Sequence, residues 1–400
     1  MPNKTITSPR GFLAAGVHCG VKKSRNLDLG LIVCPTGAKA AAVFTTNTIV
    51  AEPVKLSLEN IKTAKISAIV VNSGNANACT GPKGYKDAQK MCNKVAELIE
   101  QKPATILVAS TGIIGEQMPI AKITKGIDNA FENLAATNQS GMEFAKAIMT
   151  TDTKPKIASR SVNLSGKKVT IAGTVKGAGM IAPNMATTLC FITTDADITK
   201  PLLVKALKSA ISISLNKLTV DIHQSTNDTA IILASGLAGN KTIKTKDTNY
   251  KKFSTLLNEL CEDLAKQMAL DAEGANRMFK VVIKGAASKA DASKAARAVA
   301  DYPLVKCAVN GADPNWGRII CAVGSCGVKL NQNKLSCKIA GIKVFSNAKP
   351  VKFDSQKVSK AIAADQHTIQ VDLAVGKYTD FCYGCDLSKE YVAINADYHT

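Results

Sequence analysis

Apolar positions along this chain fall into two alternating rhythms. Ile66 to Val71 and Thr105 to Ala109 are short runs of strand length. Between them Tyr85, Ala88, Met91, Cys92, Val95, Leu98 and Ile99 recur at three- and four-residue spacing, which sets them on one face of an amphipathic helix. The pattern predicts strand, helix, strand, with the helix packed on a sheet. The second half repeats this alternation, with a strand over Leu189 to Thr193, a helix around Leu202 to Leu215, a strand over Ala230 to Leu233, a helix from about Ser254 to Met268, and a strand over Phe279 to Ile283. Such alternation is the signature of a mixed α/β protein. No internal repeat, low-complexity tract or long linker divides the halves, so they are expected to share one compact body.

Glycine- and asparagine-rich loops interrupt this pattern beside strand-like runs: Asn72-Ser-Gly-Asn-Ala-Asn, Ser110-Thr-Gly-Ile-Ile-Gly, Lys176-Gly-Ala-Gly-Met and Asp313-Pro-Asn-Trp-Gly. Loops on a rigid scaffold are where sites are built. The same residues also serve as plain turn formers.

At 400 residues the chain has room for two domains, or for one large core with a smaller appendage. Its 46% hydrophobic and 20% charged residues are ordinary for a globular protein. No apolar run approaches the roughly 20 residues of a membrane span. Met1 to Arg10 is polar, without the apolar core of an export signal, so the expected address is the cytoplasm. The 12 cysteines are sparse, and Cys34, Cys190, Cys261 and Cys321 sit in apolar runs, which reads as reduced core thiols. Cys382 and Cys385 have CxxC spacing, but no second pair or nearby histidine completes a zinc site. A net charge of +20 attracts anions in general. The lysines are spread along the chain and aromatics are only 4%, which argues against nucleic acid and leaves small acidic substrates as the secondary consequence of a solvated basic surface.

The stretch with the most chemistry runs from Lys176 to Ala196. A Gly-rich segment and Pro183 lead to Ala186, then Thr187, then a strand. Glycines permit unusual backbone geometry, so the Thr187 hydroxyl could attack the carbonyl of Ala186. Cleavage there would give Thr187 a free α-amine, whose reference pKa of about 7.7–8.0 suits a general base beside its own hydroxyl. Spacing alone does not separate this from an ordinary Ala-Thr pair before a strand.

The stretch resembles the self-processing site of the ornithine acetyltransferase, or glutamate N-acetyltransferase, family of arginine biosynthesis. Further similar patterns occur in order along nearly the whole chain: Gly11-Phe-Leu-Ala-Ala-Gly-Val, Val43-Phe-Thr-Thr-Asn, Val71-Asn-Ser-Gly-Asn-Ala-Asn-Ala-Cys-Thr-Gly, Ser110-Thr-Gly-Ile-Ile-Gly and Met149-Thr-Thr-Asp-Thr-Lys-Pro-Lys. They continue at Ser225-Thr-Asn-Asp-Thr, Asp313-Pro-Asn-Trp-Gly-Arg-Ile, Gly384-Cys-Asp-Leu and the terminal Tyr391-Val-Ala-Ile-Asn-Ala-Asp-Tyr-His-Thr400.

The resemblance implies cleavage between Ala186 and Thr187, giving an alpha chain of residues 1–186 and a beta chain of residues 187–400. Thr187 is then the nucleophile, with Thr111 and Gly112 as the oxyanion hole, and Thr153, Lys176, Thr187, Glu273, Asn395 and Thr400 as substrate contacts. The implied reaction is a ping-pong transfer of acetyl from N-acetylornithine to glutamate through acetyl-Thr187, with no metal or cofactor and with acetyl-CoA a possible second donor. The implied fold is α/β (α+β), layered sheets sandwiched by helices in the manner of N-terminal-nucleophile enzymes, with a smaller C-terminal domain. The implied assembly is a heterotetramer of two alpha and two beta chains.

The sequence departs from the family pattern at His223 and Gln224, at Ala272 and Asn276 around Glu273, and at Tyr383 in place of a tryptophan. These bear on substrate preference and local packing; His223 itself reads as a satisfied structural histidine. Two alternatives stand beside the transferase. One is an amidase or aminopeptidase of related fold, in which water resolves the acyl-enzyme. The other is a basic binding protein without catalysis.

Overall fold

The structure is a computed structural model that describes residues 4–182 and 188–397. In chain order the first part runs β1 (Leu13–Val17), β2 (Leu29–Phe44), α1 (Glu52–Asn60), β3 (Ile66–Asn75), α2 (Gly81–Leu98), β4 (Ile106–Ile113), α3 (Ile120–Glu132), α4 (Asn138–Ala147), β5 (Lys156–Leu164) and β6 (Lys167–Lys176). Then come β7 (Leu189–Thr194), α5 (Lys200–Ile213), β8 (Thr229–Ala234), α6 (Thr248–Leu270) and β9 (Met278–Ala286). The remainder is α7 (Lys289–Asp301), α8 (Pro303–Asn310), α9 (Trp316–Ser325), β10 (Ser336–Ile339), β11 (Ile342–Ser346), β12 (Lys349–Pro350), α10 (Ser355–Ile362), β13 (Gln366–Asp372), β14 (Tyr378–Cys385) and α11 (Lys389–Asp397).

Strands β1–β8 form one sheet in the order β4-β3-β2-β8-β7-β6-β5, with β1 paired to part of β2. Strand β2 holds it together. Its first half pairs antiparallel with β3, from Leu29 opposite Asn72 to Val33 opposite Ala68, and its second half pairs with β8, from Lys39 opposite Ala234 to Phe44 opposite Thr229. The shift of register between Val33 and Ala38, around exposed Pro35 and Thr36, is where the strand changes partners. The β6–β7 and β2–β8 pairings both join residues before 186 to residues after 187. The two halves of the sequence therefore share one sheet and one core, as the absence of a linker suggests.

Helices cover this sheet with apolar faces. Met91, Cys92 and Val95 of α2 and Ile123 and Ile127 of α3 pack with Leu31 and Val70, while Leu257, Leu260, Leu264 and Met268 of α6 and Leu203 and Leu207 of α5 pack with Ile171 and Ile192. Phe144 of α4 meets Phe191 of β7 edge to face, with ring centroids 5.5 Å apart. The second sheet, ordered β12-β11-β10-β13-β9-β14, forms a smaller C-terminal layer whose core includes Val299 of α7, Val309 of α8 and Val323 of α9. The result is the layered mixed α/β architecture expected.

Thiols divide differently from the sequence reading. Cys34, Cys190 and Cys261 are buried, but Cys321 is exposed on α9, because Ile319, Ala322 and Val323 take that helix's inward face. Cys382 and Cys385 are both buried in β14. Among the described residues, no helix is long and apolar enough to cross a membrane.

Candidate active site

A cavity of about 360 Å³ opens where β3, β4 and β6 end and the segments before β7 and β8 begin. Its lining includes Thr111, Gly112, Thr151, Lys176, Gly179, Asp221, Asp228, Glu273, Tyr391 and Asn395. Four residues singled out from the sequence as far apart as Thr111 and Asn395 thus meet at one hollow, together with Gly112.

Strand β4 delivers Thr111 and Gly112. It runs parallel to β3, and Gly112 stands opposite Gly74 at the ends of the two strands. Gly112 has φ +132°, and a Cβ there would lie 2.3 Å from the Gly74 carbonyl carbon and 2.5 Å from the Asn75 nitrogen, so only glycine fits. Asn227, in the loop before β8, fixes this corner by donating from Nδ2 to the carbonyls of Ala76 (2.6 Å) and Ser110 (2.9 Å). The Ser110 hydroxyl donates in turn to Asn72 Oδ1 at 2.6 Å. The peptide leading into Thr111 is thereby held by buried hydrogen bonds, the preorganisation that oxyanion stabilisation requires.

Lys176 ends β6, directly opposite Leu189 at the start of β7. Ala186, Thr187 and Thr400 lie outside the described residues. Thr188 is described: its carbonyl accepts the Thr229 N–H at 2.8 Å, which ties the residue after Thr187 to the start of β8 beside Asp228. The Thr188 hydroxyl is buried with no partner among the described residues.

Burial pushes the Lys176 ammonium below the ordinary lysine range, and the carboxylates of Asp152, Asp228 and Glu273 pull it back up. Burial raises the Asp228 carboxyl well above its ordinary value, opposed by Lys176 and by hydrogen bonds from Ser225. Asp228 Oδ2 has no hydrogen-bond partner among the described residues. Glu273 is held from both sides: the Thr151 hydroxyl donates to Oε1 at 2.6 Å, and Asn395 Nδ2 donates to Oε2 at 2.9 Å. Gly179 lies against the same carboxylate: a Cβ there would come within 2.2 Å of Glu273 Oε2 and would make the Glu273 side chain shift.

Thr153 is placed apart from this lining. It is exposed, and both its N–H and its hydroxyl donate to Asp271. His223, read from the sequence as a satisfied structural histidine, is exposed and lines the cavity. Gln224 donates to the Thr46 hydroxyl at 2.7 Å, the Asn276 N–H to Asp386 at 2.8 Å, and the buried Tyr383 hydroxyl to Glu262 at 2.7 Å. Sequence reasoning passed over Asp221, which accepts the N–H groups of Met180 (2.6 Å) and Ile181 (2.8 Å) and the Tyr391 hydroxyl (3.4 Å). It passed over Thr151 and Asp228 as well, although both sit inside motifs already noted.

Comparison with known proteins adds the family. Proteins called arginine biosynthesis bifunctional protein ArgJ are similar over the full length: that of Oceanobacillus iheyensis is 43% identical over 401 residues, covering 100% of this chain and 97% of its own. That of Bacillus anthracis is 44% identical over 398 residues, covering 99% and 97%. A crystal structure of arginine biosynthesis bifunctional protein argJ from Bacillus halodurans is 40% identical with a TM-score of 0.51, matched over 98% of its own length but over only 52% of this chain. The ArgJ family pattern matches residues 13–400, and the chain belongs to the ArgJ family.

Proposed function

We propose that this protein transfers the acetyl group of N2-acetylornithine to glutamate, giving ornithine and N-acetylglutamate, through an acetyl ester on Thr187. The observation that carries the reading is the convergence of the Lys176 ammonium, the Glu273 carboxylate and the Thr111–Gly112 corner at one cavity, with Lys176 paired to Leu189, two residues after Thr187. The full-length similarity to ArgJ proteins supports it.

The chemistry is a two-step acyl transfer. The Thr187 hydroxyl gives its proton to its own α-amine as its oxygen attacks the acetyl carbonyl. The Thr111 hydroxyl and Gly112 N–H stabilise the tetrahedral oxygen, a contribution of about 3–4 kcal/mol for one such donor. Collapse breaks the amide C–N bond, the proton passes to the departing α-amine, and ornithine leaves. Glutamate's α-amine then attacks the ester and restores the threonine hydroxyl. Donor and acceptor both present an α-carboxylate beside the reacting nitrogen, which suits a fixed Lys176 ammonium, while Glu273 suits a substrate ammonium. Asn395 lines the same cavity, and the family resemblance adds Thr400 as a further substrate contact.

The proposal includes cleavage between Ala186 and Thr187, a heterotetramer of two alpha and two beta chains, and a cytoplasmic address. That the Bacillus halodurans chain corresponds to only about half of this sequence supports a protein of two chains, and the shared sheet gives those chains reason to stay associated. The relatives are called bifunctional, which supports acetyl-CoA as a second donor.

Intact mass, measured on the purified protein alone and after incubation with N-acetylornithine, tests the reading. Two fragments meeting at residues 186 and 187, with one acetyl added to the second, are expected, and Thr187→Ala should give one unmodified chain. A folded wild-type protein that stays a single unmodified chain would return the basic binding protein to first place. Acetate released without N-acetylglutamate in the presence of glutamate would favour the amidase.

A further inference from the structure

Behind the cavity wall, three charged side chains unused by the acyl-transfer mechanism meet out of water. Lys156 opens β5 with its side chain fully buried, and its Nζ lies 2.5 Å from Asp152 Oδ1 and 2.5 Å from Asp271 Oδ2. Each carboxylate also holds backbone that reaches the site. Asp152 Oδ1 accepts the Gly177 N–H at 2.8 Å, next to Lys176, and its Oδ2 accepts the Thr150 N–H at 2.9 Å, next to Thr151. Asp271 accepts the Thr153 N–H at 3.2 Å and stands two residues before Glu273. One buried ammonium therefore ties together the segment carrying Thr151, the end of β6 carrying Lys176, and the turn after α6 carrying Glu273.

Stability gives little reason for such a cluster. Desolvating three charges is costly, and a buried ion pair is often matched by apolar residues of similar volume. Geometry gives a better one. Two carboxylates against one ammonium leave the cluster with one excess negative charge, with Asp152 bonded beside Lys176, and the hydrogen bonds fix where the backbone segments that carry Lys176 and Glu273 stand relative to each other. N-acetylornithine, with its α-carboxylate and its side-chain ammonium, needs a cation partner and an anion partner at a set separation, and this cluster sets it.

We propose that Asp152, Lys156 and Asp271 form a positioning cluster that fixes the spacing of Lys176 and Glu273 and so determines how tightly amino-acid substrates are held. This rests on the acetyl-transfer reading. The test uses the full chain with Asp271→Asn, which keeps an acceptor for Thr153 but removes one charge, and with Lys156→Arg, which keeps the charge but moves its contacts. Self-cleavage, Tm, KM and kcat per cleaved enzyme are measured with N-acetylornithine and glutamate. Asp271→Asn should raise both KM values about tenfold while kcat per cleaved enzyme changes less than about threefold. Lys156→Arg should give a smaller rise in the same direction, and it alone decides if Asp271→Asn does not fold. Folded variants with lowered Tm but unchanged KM would reduce the cluster to a purely structural role and overturn the proposal. A wild-type protein that makes no N-acetylglutamate would instead sink the acetyl-transfer reading on which it rests.

Discussion

Gly112 and Gly74 stand opposite each other at the ends of β4 and β3, so close that a methyl group on Gly112 would sit 2.3 Å from the Gly74 carbonyl carbon. The absent side chain lets the two backbones touch at the edge of the cavity that Gly112 and Thr111 both line. Gly112→Ala is therefore expected to pry β3 and β4 apart at their ends and to lower kcat by about 100-fold or more, the scale of losing one oxyanion donor. Thr111→Val makes the sharper test, since it removes only a hydroxyl and leaves the backbone in place. Steady-state kinetics should show kcat falling by about 100-fold with KM little moved, the sign of an interaction made in the transition state. An equal rise in KM with kcat intact would place Thr111 in ground-state binding instead.

Asp228 offers a pH-dependent prediction with a definite sign. Burial raises its carboxyl well above the ordinary value near 3.9. A group raised in the folded state contributes stability that is complete below the unfolded value and declines as pH rises through the folded one. Asparagine cannot ionise, so Asp228→Asn should lose that decline. Its Tm relative to wild type should be more favourable at about pH 8 than at about pH 5. Parallel Tm curves for the two proteins would show that Asp228 does not hold its proton.

Lys176 should titrate in substrate binding. Asp152 and Glu273 face it as anions, Asp228 as an acid that burial keeps protonated, and Lys156 and Lys22 as cations, while burial sets the net direction downward. KM for N-acetylornithine, which has no free α-amine to titrate, should therefore begin to rise with pH below the point where an ordinary lysine, near 10.4, loses its proton. Lys176→Met should raise that KM by roughly 100-fold and flatten its pH dependence, because no ammonium remains to lose. A Lys176→Met profile that keeps the wild-type inflection would assign the titration elsewhere.

How much of this was legible in the sequence depends on whether the physics is local. The runs at Ile66, Leu189, Ala230 and Phe279 became β3, β7, β8 and β9 within a few residues, because apolar, largely β-branched segments of that length have few other uses in a buried sheet. The α2 stripe held for the same reason: Ala88, Met91, Cys92 and Val95 are all buried. Strand β2 was missed. Pro35, Thr36 and Gly37 interrupt it, and only the change of partner from β3 to β8 explains a strand of 16 residues through such a break. At the site, Lys176, Glu273, Thr111 and Asn395 were found through resemblance, and spacing would not have joined them. The Asp152–Lys156–Asp271 cluster shows the limit, because the Asp152–Lys156 half sits in a short motif while Asp271 arrives from the far end of α6.

The chain's last helix supplies the remaining prediction. α11 buries none of its described residues, and Val392 is 63% exposed, so the helix adds little to the core. Polar contacts hold it over the cavity: Tyr391 to Asp221, Asn395 to Glu273, and the Ser388 hydroxyl to the Gly274 carbonyl at 2.5 Å. A terminal segment held this way is expected to be dispensable for folding but not for the site it covers. Ending the chain after Leu387 should leave Tm within a few degrees of wild type, as for the loss of about 1 kcal/mol. The same deletion should raise KM for N-acetylornithine and glutamate by about tenfold or more, because Glu273 loses a donor and the cavity its outer wall. Asn395→Ala isolates the first of these effects and should give a smaller rise. If the truncated protein instead unfolds while Asn395→Ala binds substrate as wild type does, α11 is a structural clasp and Asn395 does not position Glu273.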